Sequence, residues 1–370
     1  MSRFSNLGHR LYQGEVSFDF VGRRKLWYSI SGVIVLVAAV GLAMGLKLGI
    51  EFKGGSVYTV AKPGLSISQA QDAVDKIVHS HPLVQSVDGG EKIRIQISSE
   101  EQVSSSVFTD KLSKEINVPV AEIDTQVIGP SWGEQISHKA LTGLIIFMIL
   151  VTIYLAIAFE WRMAVAALVA LIHDLLITIG VYALVGFEVT PGTVIGFLTI
   201  LGYSLYDTVV VFDTVKENAK GLTKQNKITY SEAANAGLNQ TLVRSLNTTV
   251  VALLPVAALL FIGGGLLGAG TLNDISLALF IGLAAGAYSS ICVATPLLAQ
   301  LKEEQPEMKA LAKRVAQRRA ADAKAAAEAG SDATPEGEEF ADEDLPAGMV
   351  GQRGRAAGTS RAKGRSSGKR

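Results

Sequence analysis

The chain has 370 residues, 49% hydrophobic and 18% charged, with mean hydropathy +0.33 and a formal net charge of zero. That is too apolar for a soluble protein whose apolar residues only fill a core, and a neutral balance leaves nucleic acid no electrostatic footprint. The single cysteine, Cys292, lies in an apolar run and excludes an intrachain disulfide or a thiolate metal site.

Residues 1–25 form an N-terminal segment that ends on Arg23, Arg24 and Lys25. The apolar run 26–48 follows, longer than the roughly 7 to 15 residues of a signal-peptide core, and predicts a retained membrane helix. Residues 49–138 predict a small α+β domain. Its elements are a strand at SVYTVA, a helix at SQAQDAVDKIVHS, a strand at LVQSV, a turn at Asp88-Gly89-Gly90, a strand at KIRIQIS, a helix within EEQVSSSVFTDKLSKEI and a strand at AEIDTQVI. The order β-α-β-β-α-β is the ferredoxin-like pattern. Ser68 with Gln71 predicts a capping box, and Ile93, Ile95 and Ile97 alternate with Lys92, Arg94 and Gln96 as in a half-buried strand. Gly54 and Gly55 mark a turn or close backbone approach where the first span meets this domain. His79 and His81, beside Pro82, have no further ligand at useful spacing and read as solvated residues at a helix end.

The runs 140–159, 163–187, 192–213, 248–268 and 275–299 complete six predicted transmembrane helices, each near the roughly 20 residues that cross a bilayer. Residues 214–247 predict a loop carrying an amphipathic helix with Ala234, Leu238, Leu242 and Leu246 on one face. Residues 302–370 predict a disordered tail, in which the Ala- and charge-rich 306–329 is able to form transient helix before an acidic and then a basic block. The Arg23–Lys25 cluster, Arg162, Lys216, Lys220, Lys224, Lys227 and Lys302 fall on one side, and the opposite short loops FEVTPG and LGAGTLND hold no Lys or Arg. Both termini are therefore expected in the cytoplasm and residues 49–138 outside it. Glycine pairs Gly192/Gly196 and Gly282/Gly286 predict close helix contacts, and Pro255, Pro296 and Gly263–Gly265 predict irregular helices in the last two spans.

A carboxylate inside a span costs roughly 2.5 to 3.5 kcal/mol on insertion scales, so ionisable groups there call for a reason. His173 and Asp174 lie near the midplane of the third span, and Asp207 lies about two-thirds of the way along the fourth. Asp207 is either a proton carrier or a packing residue hydrogen-bonded to Ser204, Tyr206 or a neighbouring helix. His173 and Asp174 point about 100° apart, so both cannot face Asp207. Asp213, about 120° around the helix from Asp207, falls at the span's inner end, where a cap or ion pair is cheap. Arg244 either reaches a buried carboxylate or extends to lipid headgroups.

The segments DFVGRRKLWYSIS, GIEFKGG, GYSLYDTVVVFDTVKEN and NQTLVRSLNTTV, in this order across residues 18–300, resemble the SecF family of Sec protein translocase subunits, within the resistance-nodulation-division superfamily. The resemblance implies a multi-pass subunit of the bacterial plasma membrane that works with SecD and the SecYEG channel on an emerging preprotein in the lipid bilayer. It further implies coupling to the proton-motive force, with protons as the coupling ion and no other cofactor, and no nucleic-acid partner. On this reading Asp207, Asp213, Asp174, His173 and Arg244 form a proton relay, and Glu51, Phe52, Gly54 and Gly55 a structural motif. Thr214 stands where the family commonly has arginine, and Glu51 where aspartate is more usual. The alternatives are a proton-coupled exporter of small molecules and a scaffold that takes no part in coupling. No nucleotide-binding loop, nucleophile elbow or HExxH motif points to an enzyme.

Overall fold

The computed structural model describes residues 17–62, 64–78, 82–87, 91–98, 104–266 and 270–331. His79, His81, Asp88, Gly89, Gly90 and residues 332–370 lie outside them. Among the described residues six helices are long and apolar enough to cross a membrane. In chain order they are Arg24–Ala43, Pro130–Ala158, Trp161–Val185, Pro191–Asn218, Tyr230–Ala258 and Gly270–Ser289, hereafter the first to sixth spans.

Strand β1 (Lys47–Leu48) leaves the first span and pairs in parallel with β6 (Glu188–Val189), between the third and fourth spans. Between the first two spans lie β2 (Gly55–Ala61), β3 (Leu83–Val87), β4 (Lys92–Ser98) and β5 (Ile123–Ile128), in the sheet order β3-β4-β2-β5 with every pairing antiparallel. Helices Ile67–Asp75 and Ser105–Ile116 separate β2 from β3 and β4 from β5, which is a β-α-β-β-α-β order. The expected alternation places Ile93, Ile95 and Ile97 in the core with Tyr58, Val60, Phe108 and Leu112. Gln96 departs from it and is buried as well, on the opposite face of β4.

The capping box sits two residues earlier than Ser68 and Gln71. Ser66 Oγ accepts the Gln69 amide at 3.2 Å while Gln69 Oε1 accepts the Ser66 amide at 3.1 Å. Ser68 instead meets the Ser66 hydroxyl at 3.0 Å, in the helix's first turn. Gly55 adopts φ +152°, and a Cβ there would stand 2.3 Å from the Ile97 carbonyl oxygen, so β2 and β4 meet at a point only glycine fits.

One expectation fails after the fourth span. The separate amphipathic helix before the fifth span and that span itself are one continuous helix, Tyr230–Ala258, opened by a capping box of Thr229 and Glu232. Polar residues such as Asn247, Thr248 and Thr249 interrupt the apolar run without breaking the helix, because neither Gly nor Pro stands among them. The Ala- and charge-rich start of the tail is helical over Pro306–Ser331, a segment rich in Ala, Lys and Arg, all good helix formers. Arg314 donates to the Thr223 carbonyl at 2.8 Å, Arg318 to Asn226 Oδ1 at 2.7 Å, and Arg319 pairs with Glu232 at 2.8 Å, so this helix is tied to the loop before the fifth span.

The bundle packs through small residues. Added Cβ atoms at Gly180, Gly196 and Gly282 would lie 2.3 Å from Ala38 Cβ, 2.7 Å from Ala278 Cβ and 2.1 Å from Ile200 Cδ1. These contacts join the first span to the third and the fourth to the sixth at backbone-limited distances. After Pro255 the fifth span becomes a π-helix at Leu259–Leu266, and the sixth does so at Ser290–Ala294, just before Pro296. Proline lacks the N–H that would continue an α-helical ladder, so the irregularity falls next to it.

Candidate functional site

The buried stripe of the fourth span runs through Gly192, Gly196, Ile200, Ser204, Asp207, Thr208, Val211 and Val215, at the three- and four-residue spacing of one helix face. Asp207 therefore faces protein, and only 6% of its surface is exposed. Ser245 of the fifth span donates its hydroxyl to the carboxylate, with Oγ 2.7 Å from Oδ1 and 2.7 Å from Oδ2. One residue along, Thr208 Oγ1 lies 3.0 Å from Ser290 Oγ, in the first turn of the sixth span's π segment. The partners expected for Asp207 on its own helix are not used: Tyr206 is exposed, and Ser204 serves another acid.

That acid is Asp174, which is fully buried. Ser204 Oγ donates to its Oδ2 at 2.5 Å, while His173 Nδ1 stands 3.5 Å from its Oδ1. The His173 ring stacks on Tyr288 with centroids 6.0 Å apart, and neither of its ring nitrogens has a hydrogen bond. Tyr288 in turn meets Ser31 of the first span at 2.9 Å. Ser204 and Asp207 are three residues apart on one face, so the pairs Asp174–Ser204 and Asp207–Ser245 stand about 4.5 Å apart along the helix axis. Five spans thus meet around a row of carboxylates and hydroxyls in an apolar bundle. Each carboxylate accepts a hydrogen bond from a hydroxyl of another span, and hydroxyls can both donate and accept.

Asp213 and Arg244 do not join this row. Both are exposed, and they line a cavity of about 440 Å³ with Phe159 and Lys216 near the C-terminal end of the fourth span. Among the described residues no ion pair links them. Glu51, Phe52, Gly54 and Gly55 lie at the opposite end, beneath the α+β domain. Gly54 takes φ +79° as the C-cap of the short helix Ile50–Lys53, and an added Cβ at Gly133 would lie 2.5 Å from the Phe52 carbonyl oxygen. Glu51 opens into a cavity of about 450 Å³ with Lys47, Arg94, Gln96, Glu188 and Asp274.

Sequence reasoning missed Ser245, Thr208 and Tyr288 as parts of the row, and Glu188 and Asp274 at the cavity lined by Glu51. Hydroxyls in helices are common and carry no periodic signal, whereas the two acids stand in short loops noted only for lacking Lys and Arg. Among the described residues no group of three His, Cys, Asp or Glu is arranged to hold a metal ion.

Six spans, an inserted α+β domain and paired carboxylates within the bundle define a multi-pass helical membrane protein with ionisable groups at its centre. Residues 108–304 match the family described as "Protein export membrane protein SecD/SecF, C-terminal", and residues 41–61 match the "SecD/SecF GG Motif". The chain is 58% identical over the full length of both chains to the protein translocase subunit SecF of Streptomyces coelicolor. It is 41% identical to that of Mycobacterium tuberculosis, covering 85% of this chain and 75% of the relative. The chain belongs to the SecF family. A crystal structure of SecDF, described as a translocon-associated membrane protein, from Thermus thermophilus aligns at TM-score 0.66 and 28% identity. It covers 78% of this chain, which spans 39% of that longer one.

Proposed function

We propose that this chain promotes protein export across the bacterial plasma membrane as the SecF subunit of the Sec preprotein translocase, drawing on the proton-motive force. It lies in the lipid bilayer with both termini in the cytoplasm. Its α+β domain, read as ferredoxin-like, stands outside, and its partners are SecD, the SecYEG channel and the emerging preprotein, without nucleic acid or a cofactor other than protons. The fusion of this region into a SecDF chain in Thermus supports the pairing with SecD.

The observation that carries the reading is Asp207: a buried carboxylate mid-span, held by a hydroxyl from a second span. A proton shifts a two-state equilibrium only through differential binding, and a desolvated carboxylate whose partner sits on another helix offers that difference. Asp174 and His173 extend the row toward the midplane, and the exposed Asp213 and Arg244 lie beyond it, on the cytoplasmic side. No covalent step is involved.

Pulse-labelling of a secreted reporter in cells whose only SecF is Asp207→Asn tests this. Precursor accumulation at normal SecF abundance is the expected result, and wild-type export kinetics would contradict it.

A further inference from the structure

Residues 17–23, outside any helix or strand, lead into the first span. Two side chains of the fifth span hold their backbone. Asn239 Oδ1 accepts the Phe18 amide at 2.8 Å while its Nδ2 donates to the Phe18 carbonyl at 2.9 Å, so one side-chain amide matches both backbone groups of a single residue. One turn earlier, Asn235 Oδ1 accepts the amides of Phe20 at 2.9 Å and Val21 at 3.3 Å, and its Nδ2 donates to the Phe18 carbonyl at 3.0 Å. Asn239 Nδ2 also donates to the Asn235 carbonyl at 2.7 Å, which fixes its amide against the helix. Asn239 is 9% exposed and Val21 is buried in the same core as Leu238 and Leu242, so water competes little for these bonds.

The clamp stands on the helix that carries Ser245. Asn235 and Asn239 precede Ser245 by ten and six residues, about 15 and 9 Å along the axis, and the three lie within an arc of about 120°. The helix Tyr230–Ala258 runs unbroken between them. Rings join the same segment to the other carboxylate. Phe20 stacks on Trp27 of the first span with centroids 5.9 Å apart, Trp27 meets Tyr288 edge-on at 6.4 Å, and Tyr288 stacks on His173, the neighbour of Asp174. Arg24 adds a second tie, pairing at 2.8 Å with Glu303, whose other oxygen accepts the Ser231 hydroxyl. Both members of that ion pair are about one-third exposed, which makes it the weaker tie. At its other end the first span runs into β1 and the α+β domain.

We propose that Asn235 and Asn239 are positioning residues that make the first span the output of the Asp207 site. They fasten the segment entering that span to the helix bearing Ser245, so a shift of this helix at Asp207 is carried along the first span to the α+β domain. The inference rests on the proton-coupled reading given under Proposed function. Without the clamp the fifth helix moves alone. Protonation at Asp207 then no longer reaches the domain, and the loss is one of coupling rather than of folding.

Two measurements on the full chain test this. In lipid nanodiscs, hydrogen exchange at the Phe18, Phe20 and Val21 amides is expected to rise about tenfold in Asn235→Ala/Asn239→Ala, because those amides lose their side-chain acceptors. In membrane vesicles carrying the complete translocase, gradient-stimulated release of a precursor by the same variant should fall severalfold at equal abundance. A bridge in place of the clamp should restore it. In a Cys292→Ala background, Phe18→Cys/Asn239→Cys joined by a short bis-maleimide with a cleavable linker is expected to show stimulated release, and to lose it when the linker is cleaved in the assembled membrane. A folding role would not respond to that cleavage. Unaltered exchange or wild-type stimulation in Asn235→Ala/Asn239→Ala, or no drop on cleavage, overturns the proposal. If the alanine pair fails to insert, the cleavage step decides alone. Should the export reading fail, Asp207→Asn responds to the gradient as wild type does; should only this inference fail, Asp207→Asn loses the stimulation and the asparagine variant keeps it.

Discussion

Ser245 Oγ lies 2.7 Å from both carboxylate oxygens of Asp207, so a single hydroxyl on the fifth span covers the acid of the fourth. The contact ties two helices at a buried point of the bundle. Replacing Ser245 by Ala leaves a buried carboxylate short of its donor, which costs about 1 to 3 kcal/mol. Gradient-stimulated export by Ser245→Ala is expected to fall at least severalfold, with Ser245→Thr restoring much of it. Equal export by Ser245→Ala and wild type at matched abundance would show that the contact is dispensable.

Asp213 supplies the contrast. It is exposed and stands apart from the buried row, so Asp213→Asn removes no desolvated charge. Its effect on stability is expected within about 0.5 kcal/mol, roughly twofold in an equilibrium. Export assayed beside Asp207→Asn should therefore stay within about twofold of wild type. A loss as deep as that of Asp207→Asn would put Asp213 in the relay despite its exposure.

Gly180 packs against the first span so closely that an added Cβ would stand 2.7 Å from Ala38 Cα, a backbone atom that cannot rotate away. Gly180→Val is expected to separate these helices and cost about 1 to 3 kcal/mol. Thermal unfolding of the purified chain in detergent measures it. An unchanged midpoint would mean that the first span is free to shift.

Gly55→Ala forces a side chain to 2.3 Å from the Ile97 carbonyl oxygen at a φ suited to glycine. The β2–β4 pairing should weaken, costing about 1 to 3 kcal/mol. Limited proteolysis of the membrane-embedded chain is expected to cut within residues 55–128 well before wild type does; equal cutting would refute the strain.

The bundle and the domain's element order were legible in the sequence because apolar runs and two-residue alternation report directly on burial. Asp207 was legible for the same reason, as a charge on an otherwise apolar face. Its partner was not, since Ser245 sits in a polar stretch that resembles a surface loop until the helix Tyr230–Ala258 is seen to run unbroken. Ser204 was expected beside Asp207 and binds Asp174 instead, because its pairing depends on how the third span is rotated against the fourth. Gln96 and Glu188 were invisible for a related reason. Alternation predicts which face of β4 packs inside its own domain and says nothing about what covers the other face.

The central claim is that Asp207 couples the proton gradient to export. Release of a secretory precursor from membrane vesicles, with and without an imposed gradient, tests it most directly when wild type and Asp207→Asn are compared at equal abundance. Coupling through Asp207 predicts that the mutant keeps gradient-independent release and loses only the stimulated part. A mutant that still responds to the gradient as wild type does would make Asp207 a packing residue and the subunit a scaffold.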